Sequence, residues 1–108
     1  MPAGGDERAA GDVRHPPKLY LGPQDAEALI RRMRRIEGQA RGVQRMIQEQ
    51  APCEEILIQV EAMRAALQRV KVALGGCHVK QLLLQEFPGE EHLAETLARE
   101  VERALRAL

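Results

Sequence analysis

Apolar residues in this chain recur at spacings of 4-3-4-3-4, first at Leu29, Met33, Ile36, Ala40, Val43 and Ile47, then at Ile56, Val60, Met63, Leu67, Val70 and Leu74. That period lays each set along one edge of a helix and conflicts with the two-residue alternation of a half-buried strand. The edge is narrow, as in helices that zip against other helices. Leu21-Gly22-Pro23 predicts the start of the first helix, because Pro suits a first turn and Asp25 and Glu27 put negative charge near the positive end of the dipole. Pro52 separates the two sets: it cannot continue the first helix and biases Ala51 away from helical angles, so the chain turns and restarts at Cys53. The second helix is expected to run to about Gln85, with Gly75-Gly76 as a weak or kinked point and Phe87-Pro88-Gly89 as its end. A third, shorter helix from about Glu90 would use Leu93, Leu97, Val101, Leu105 and Leu108 as its apolar edge.

With one Phe, one Tyr and no Trp in 108 residues, the core must be aliphatic, which suits helices and fits poorly with a β-sandwich or barrel. The fold class expected is all-α, with three helices per chain. Residues 1–17 are rich in Gly, Pro, Asp and Arg without periodicity and read as a disordered tail, leaving residues 18–108 as the single domain. A chain this short buries little core of its own. A second helix of roughly 33 residues is about 50 Å long, more than one three-helix domain needs, and pairing with another subunit explains the excess. No apolar segment approaches the roughly 20 residues that cross a bilayer, and Gly4, Gly5, Asp6 and Glu7 are unlike a signal peptide's apolar core. These features predict a cytoplasmic protein with no membrane partner, in which two cysteines serve as thiols or metal ligands rather than as a disulfide.

The formal net charge is zero, yet it is unevenly divided. Residues 27–50 carry Arg31, Arg32, Arg34, Arg35, Arg41 and Arg45 against three glutamates, whereas residues 86–108 carry six glutamates against three arginines. The first helix is the electropositive one, and oligomer formation would multiply its basic face. Such a face either meets phosphate or is simply solvated.

Cys53 and His78 are the soft-ligand pair, but 25 residues of helix hold them roughly 37 Å apart, so they cannot meet within one chain. Two antiparallel copies of the second helix, crossing between Ala65 and Ala66 with Ala62 nearby, would set Cys53 of one beside His78 of the other and generate two equivalent sites. Cys53 lies in a first turn, where free N–H groups favour a thiolate and Glu54 and Glu55 oppose it. The alternative is structural: Cys53 as a small apolar residue on the edge, and His78 as a hydrogen-bonded one. Cys77 could pack, join the site or act as a resolving thiol; His15 and His92 are weaker ligand candidates.

These residues resemble the copper-sensitive operon repressor family, which includes nickel/cobalt- and formaldehyde-sensing repressors. The resemblance covers roughly residues 24–106 and rests on Arg-Arg-Ile-Glu-Gly-Gln-Ala-Arg-Gly at 34–42, Cys53, the segment from Gln59 to Leu67, and His78. It implies an antiparallel helical-bundle dimer, assembled into a homotetramer, that binds operator double-stranded DNA until an effector occupies the Cys/His site. For an effector metal such as Cu(I) it implies Cys53, His78 and a third donor at position 82, where this chain has Leu. Leu offers no donor to a soft ion, so Cys77 and His15 are the further candidates. Formaldehyde-sensing relatives lack that third ligand and share a Pro after the initiator Met, here Pro2. Persulfide-sensing relatives place a second Cys where Leu82 stands. For DNA, the resemblance points to Arg32 and Arg69, with Arg34, Arg35, Arg41 and Arg45 as phosphate partners whose contribution would fall steeply with salt. With no helix-turn-helix or zinc-finger pattern, operator shape would matter more than base reading.

The expected function is therefore a repressor released from DNA by an effector, first a metal ion. The alternatives are a thiol-based repressor sensing formaldehyde or another electrophile at Cys53, and a non-sensing helical interaction protein. An enzyme is not expected, since the sequence shows no carboxylate pair, Gly-rich phosphate loop or nucleophile–base motif at useful spacing.

Overall fold

The computed structural model describes residues 21–108, folded as three helices: α1 (Pro23–Gln48), α2 (Cys53–Glu86) and α3 (Glu91–Arg106). The expected tail at 1–17, with Pro2 and His15, and the expected domain start at residue 18 lie outside the described residues. Pro23 occupies the first turn of α1, and the Gly22 carbonyl accepts the Ala26 N–H at 2.9 Å. At the other end Gln50 takes φ 56°, which lets the Ala51 N–H reach the Met46 carbonyl at 2.9 Å and the Gln50 N–H reach Ile47 at 3.1 Å. This is a Schellman closure with a non-glycine at the left-handed position, and it reverses the chain just ahead of Pro52. The Pro52 carbonyl then accepts the N–H groups of Glu55 and Ile56, opening α2. Gly89, with φ 89°, makes the second reversal.

The central element is α2. α1 lies antiparallel on one side of it, so that Leu21, just ahead of α1, and Asp25 in its first turn meet Cys77 and Leu84 while Arg32 and Ile36 meet Ala66. α3 folds back along another side, where the Gln68 amide donates to the Leu105 carbonyl at 3.0 Å and Lys80 pairs with Glu95. The backbones of α1 and α3 pack on α2 and not on each other. Leu29, Ile36 and Val70 form the core between α1 and α2, with Leu21, Met63, Ala66, Ala73 and Leu74 packed around them. Val72, Gly76, Ala94 and Ala98 are buried between α2 and α3.

Three expectations change. Gly75-Gly76 is no kink, because α2 is helical throughout. It is instead where α3 comes closest: a Cβ on Gly76 would stand 2.7 Å from Glu102 Cγ and Cδ, and one on Gly75 would strike Leu105. The inward edge of α3 is also displaced, with Ala94 and Ala98 buried while Leu93 and Leu97 are exposed. Small side chains face α2 because the glycines permit a close approach that leucines would block. Met33 and Ile47, placed on the edge of α1, are likewise exposed. Among the described residues no large side chain is fully buried, and the Cα radius of gyration is 19.1 Å against about 12–13 Å for a compact domain of this length.

Candidate functional site

Cys53 is the first residue of α2 and is exposed, and His78 is half-buried. The unbroken helix keeps them roughly 37 Å apart, so one chain does not bring them together. At about 100° per residue, however, 25 residues return His78 to within about 20° of Cys53, on one face of α2. Leu57, Val60, Leu67 and Leu82 fall on the same strip. α1 covers the side of α2 that carries Met63, Ala66 and Val70, and α3 covers the side that carries Val72 and Gly76. The Cys53–His78 strip is the remaining side. Leu57, Val60 and Leu67 are 60%, 46% and 44% exposed there, so nothing in the chain covers the half of the strip from Cys53 to Leu67, while His78 and Leu82 farther along are half-buried.

Ala65 and Ala66 do not lie on that strip. Ala66 packs into the α1–α2 core and Ala65 lines the groove beside α3, so the alanines assigned to a close crossing between subunits are used within the chain. Cys77 also turns away, about 100° round the helix from His78. It lines a hollow of about 340 Å³ with Leu21, Asp25, Lys80 and Leu84. Partial burial pushes its thiol pKa up, and the nearby Asp25 and Glu102 carboxylates add to the effect. His92 is exposed at the start of α3. Among the described residues no group of three or more His, Cys, Asp or Glu within the chain could hold a metal ion.

The arginines separate into two sets. Arg32 of α1 and Arg69 of α2 come together and line two adjoining hollows of about 430 and 270 Å³. Arg35 and Gln39 complete the smaller one, while Arg64, Gln68, Glu102 and Arg106 border the larger. Arg34, Arg41 and Arg45 lie roughly 140–180° round α1 from the buried Ile36, on the opposite face. Arg41 is further tied to Glu37 at 3.7 Å.

Arg64 and Arg106 were not legible as groove residues. Arg64 lies outside the arginine-dense run, and Arg106 sits in the acidic third of the chain and reaches the groove only because α3 doubles back. The Arg64 guanidinium is already held by Glu61 at 2.7–3.1 Å, and this hydrogen-bonded pairing lowers the Glu61 pKa and raises that of Arg64. The α2–α3 junction carries a second ion pair, Lys80 with Glu95, to which Arg99 adds a contact at 3.7 Å. Lys80 of this junction lies within one helical turn of His78.

A family model described as "Metal-sensitive transcriptional repressor" matches residues 25–108. The copper-sensing transcriptional repressor CsoR of Bacillus subtilis (strain 168) is 31% identical over 77 residues, covering 68% of this chain and 76% of CsoR. The copper-sensing transcriptional repressor RicR of Mycobacterium tuberculosis (strain ATCC 25618 / H37Rv) is 36% identical over 80 residues, covering 69% and 83% respectively. No solved structure matches the chain significantly.

Proposed function

The chain belongs to the metal-sensitive transcriptional repressor family, and on that premise we propose that it holds operator DNA through the Arg32–Arg69 groove and releases it when an effector binds between subunits. The effector site is made by Cys53 of one chain and His78 of an antiparallel second copy, and Cu(I) is the first candidate because both relatives are named for copper sensing. The observation that carries the reading is the strip of α2, uncovered from Cys53 to Leu67, which places Cys53, three exposed apolar side chains and the half-buried His78 on one face. A two-fold axis across it buries those side chains and pairs thiol with imidazole twice. Dimers pairing into a tetramer would repeat the basic groove along the duplex. Arg32, Arg35 and Arg69 make the nearer phosphate contacts, and Arg34, Arg41 and Arg45 serve a second surface of the assembly. The protein works in the cytoplasm and catalyses no reaction.

A thiolate and an imidazole suit a soft ion. Leu82 stands on the same strip and supplies no donor. Cys77 is a poor substitute, since it points elsewhere and its thiol resists ionisation; the remaining candidate, His15, precedes the described residues. Leu82 favours one second reading, in which the exposed Cys53 thiol at the head of α2 reacts with formaldehyde or another electrophile.

The test is anaerobic titration of the reduced protein with Cu(I), followed by fluorescence anisotropy of a duplex from its own promoter. Release at one Cu(I) per subunit, lost in Cys53→Ser and in His78→Ala but recovered in part when the two variants are mixed, is the expected result. Recovery on mixing requires a site shared between chains. DNA binding that Cu(I) leaves untouched, but formaldehyde reverses, would replace the metal by the electrophile.

A further inference from the structure

Gln39 Oε1 is the one buried side-chain polar atom among the described residues that has no hydrogen-bond partner. Its surroundings make this unexpected. Gln39 lines the smaller hollow with Arg32, Arg35 and Arg69, over an apolar floor of Ile36 and Ala66. Each guanidinium offers five N–H donors, so an orphaned acceptor stands among three donor-rich side chains and receives from none of them. Leaving such an atom unsatisfied destabilises the free protein, and an orphan of this kind points to a state in which it is satisfied.

The missing ingredient is negative charge. Three guanidinium groups around one small hollow repel one another and stay extended into water. A phosphodiester oxygen placed between them neutralises that repulsion and draws them inward. Arg69 approaches from α2, across the hollow from Gln39 on α1.

We propose that Gln39 is a positioning residue of the DNA-binding groove: once a backbone phosphate enters the hollow, its Oε1 accepts an N–H from Arg69 and aims that guanidinium at the phosphate. The inference rests on the groove being the DNA-binding surface. In the free protein no protein group donates to this acceptor; with DNA bound, the Arg69 fork is shared between a neutral amide oxygen on one edge and a phosphate on the other. A neutral acceptor suits this task, since a carboxylate in its place would repel the phosphate it is meant to help bind.

The test compares wild type with Gln39→Met, which keeps the length of the side chain and removes the acceptor. The readouts are urea unfolding and anisotropy of the promoter duplex across a salt series. The expected result is a separation of stability from binding: an unfolding midpoint unchanged or raised, and DNA affinity reduced roughly tenfold. The slope of log affinity against log salt should become shallower by about 0.9 for each phosphate that is no longer neutralised. In an Arg69→Gln background, adding Gln39→Met should cost no further affinity, because both changes remove the same interaction. Affinity like wild type in Gln39→Met, or a loss of affinity that accompanies lower stability and adds fully to that of Arg69→Gln, would overturn the role of Gln39. If wild type binds the duplex and Arg69→Gln binds it measurably more weakly, such a result removes Gln39 alone; if wild type fails to bind, the DNA-binding reading falls and this inference with it.

Discussion

Replacing Leu57 by Asn should separate subunits without unfolding the chain. Leu57 sits one turn after Cys53 on the uncovered strip of α2 and keeps 60% of its surface exposed in the isolated chain. Full burial of a leucine contributes about 1.5–3 kcal/mol, so covering that 60% on association contributes about 1–2 kcal/mol per copy. A two-fold axis counts the loss twice, about 2–4 kcal/mol per dimer. At 1.4 kcal/mol per factor of ten, the dimer dissociation constant should rise roughly 30- to 700-fold. Sedimentation velocity over a wide concentration range reads the change, and far-UV circular dichroism at high concentration checks that helix content is kept. Leu29→Asn is the control: Leu29 belongs to the α1–α2 core, so its loss should lower helix content itself. An unchanged dissociation constant for Leu57→Asn would refute the placement of the partner on this strip, and with it the pairing of Cys53 with His78 across subunits.

Substitutions at two helical glycines should have opposite signs. Gly38 has open space where a Cβ would go, so Gly38→Ala should raise the urea midpoint by the equivalent of about 0.5–1 kcal/mol, whereas Gly76→Ala must displace Glu102 and should lower stability by about 1–2 kcal/mol. Iodoacetamide should modify Cys53 well before Cys77 in the folded protein, because Cys53 is exposed while burial and the carboxylates of Asp25 and Glu102 hold the Cys77 thiol protonated; mass spectrometry of timed aliquots measures the order, and equal rates would contradict the placement of Cys77. Lys80 lowers the Glu95 pKa by hydrogen bonding and charge, so the stability this pair contributes is present above the ordinary carboxylate value of about 4.5 and is lost as pH falls through the lower folded-state pKa. Wild type should therefore exceed Glu95→Gln in thermal midpoint at neutral pH, and the two should converge in acid.

Much of the architecture is local and was legible in the chain. The 4-3-4-3-4 recurrence of apolar residues, Pro52 and Phe87-Pro88-Gly89 determine three helices and their ends, because helix period and the conformational limits of Pro and Gly act over a few residues. The same period decides that Cys53 and His78 share a face and cannot meet in one chain, since 25 residues are close to a whole number of helical turns. Periodicity could not choose among faces. α3 carries both an alanine edge and a leucine edge, and only the close approach at Gly75-Gly76 selects Ala94 and Ala98 as the inward pair.

The same limit applies to the groove. A run of six arginines reads as one basic helix, yet packing turns Arg32 and Arg35 toward Arg69 and sends Arg34, Arg41 and Arg45 to the other side. It also brings in Arg64 and Arg106 from outside that run, and turns Gln39, a neutral residue within it, into the same groove. Helix formation is determined residue by residue along the chain. Which charges converge, and which apolar strip of α2 is left for a partner, depends on distances between helices, and those exist only once the chain has turned back on itself at Gln50 and Gly89.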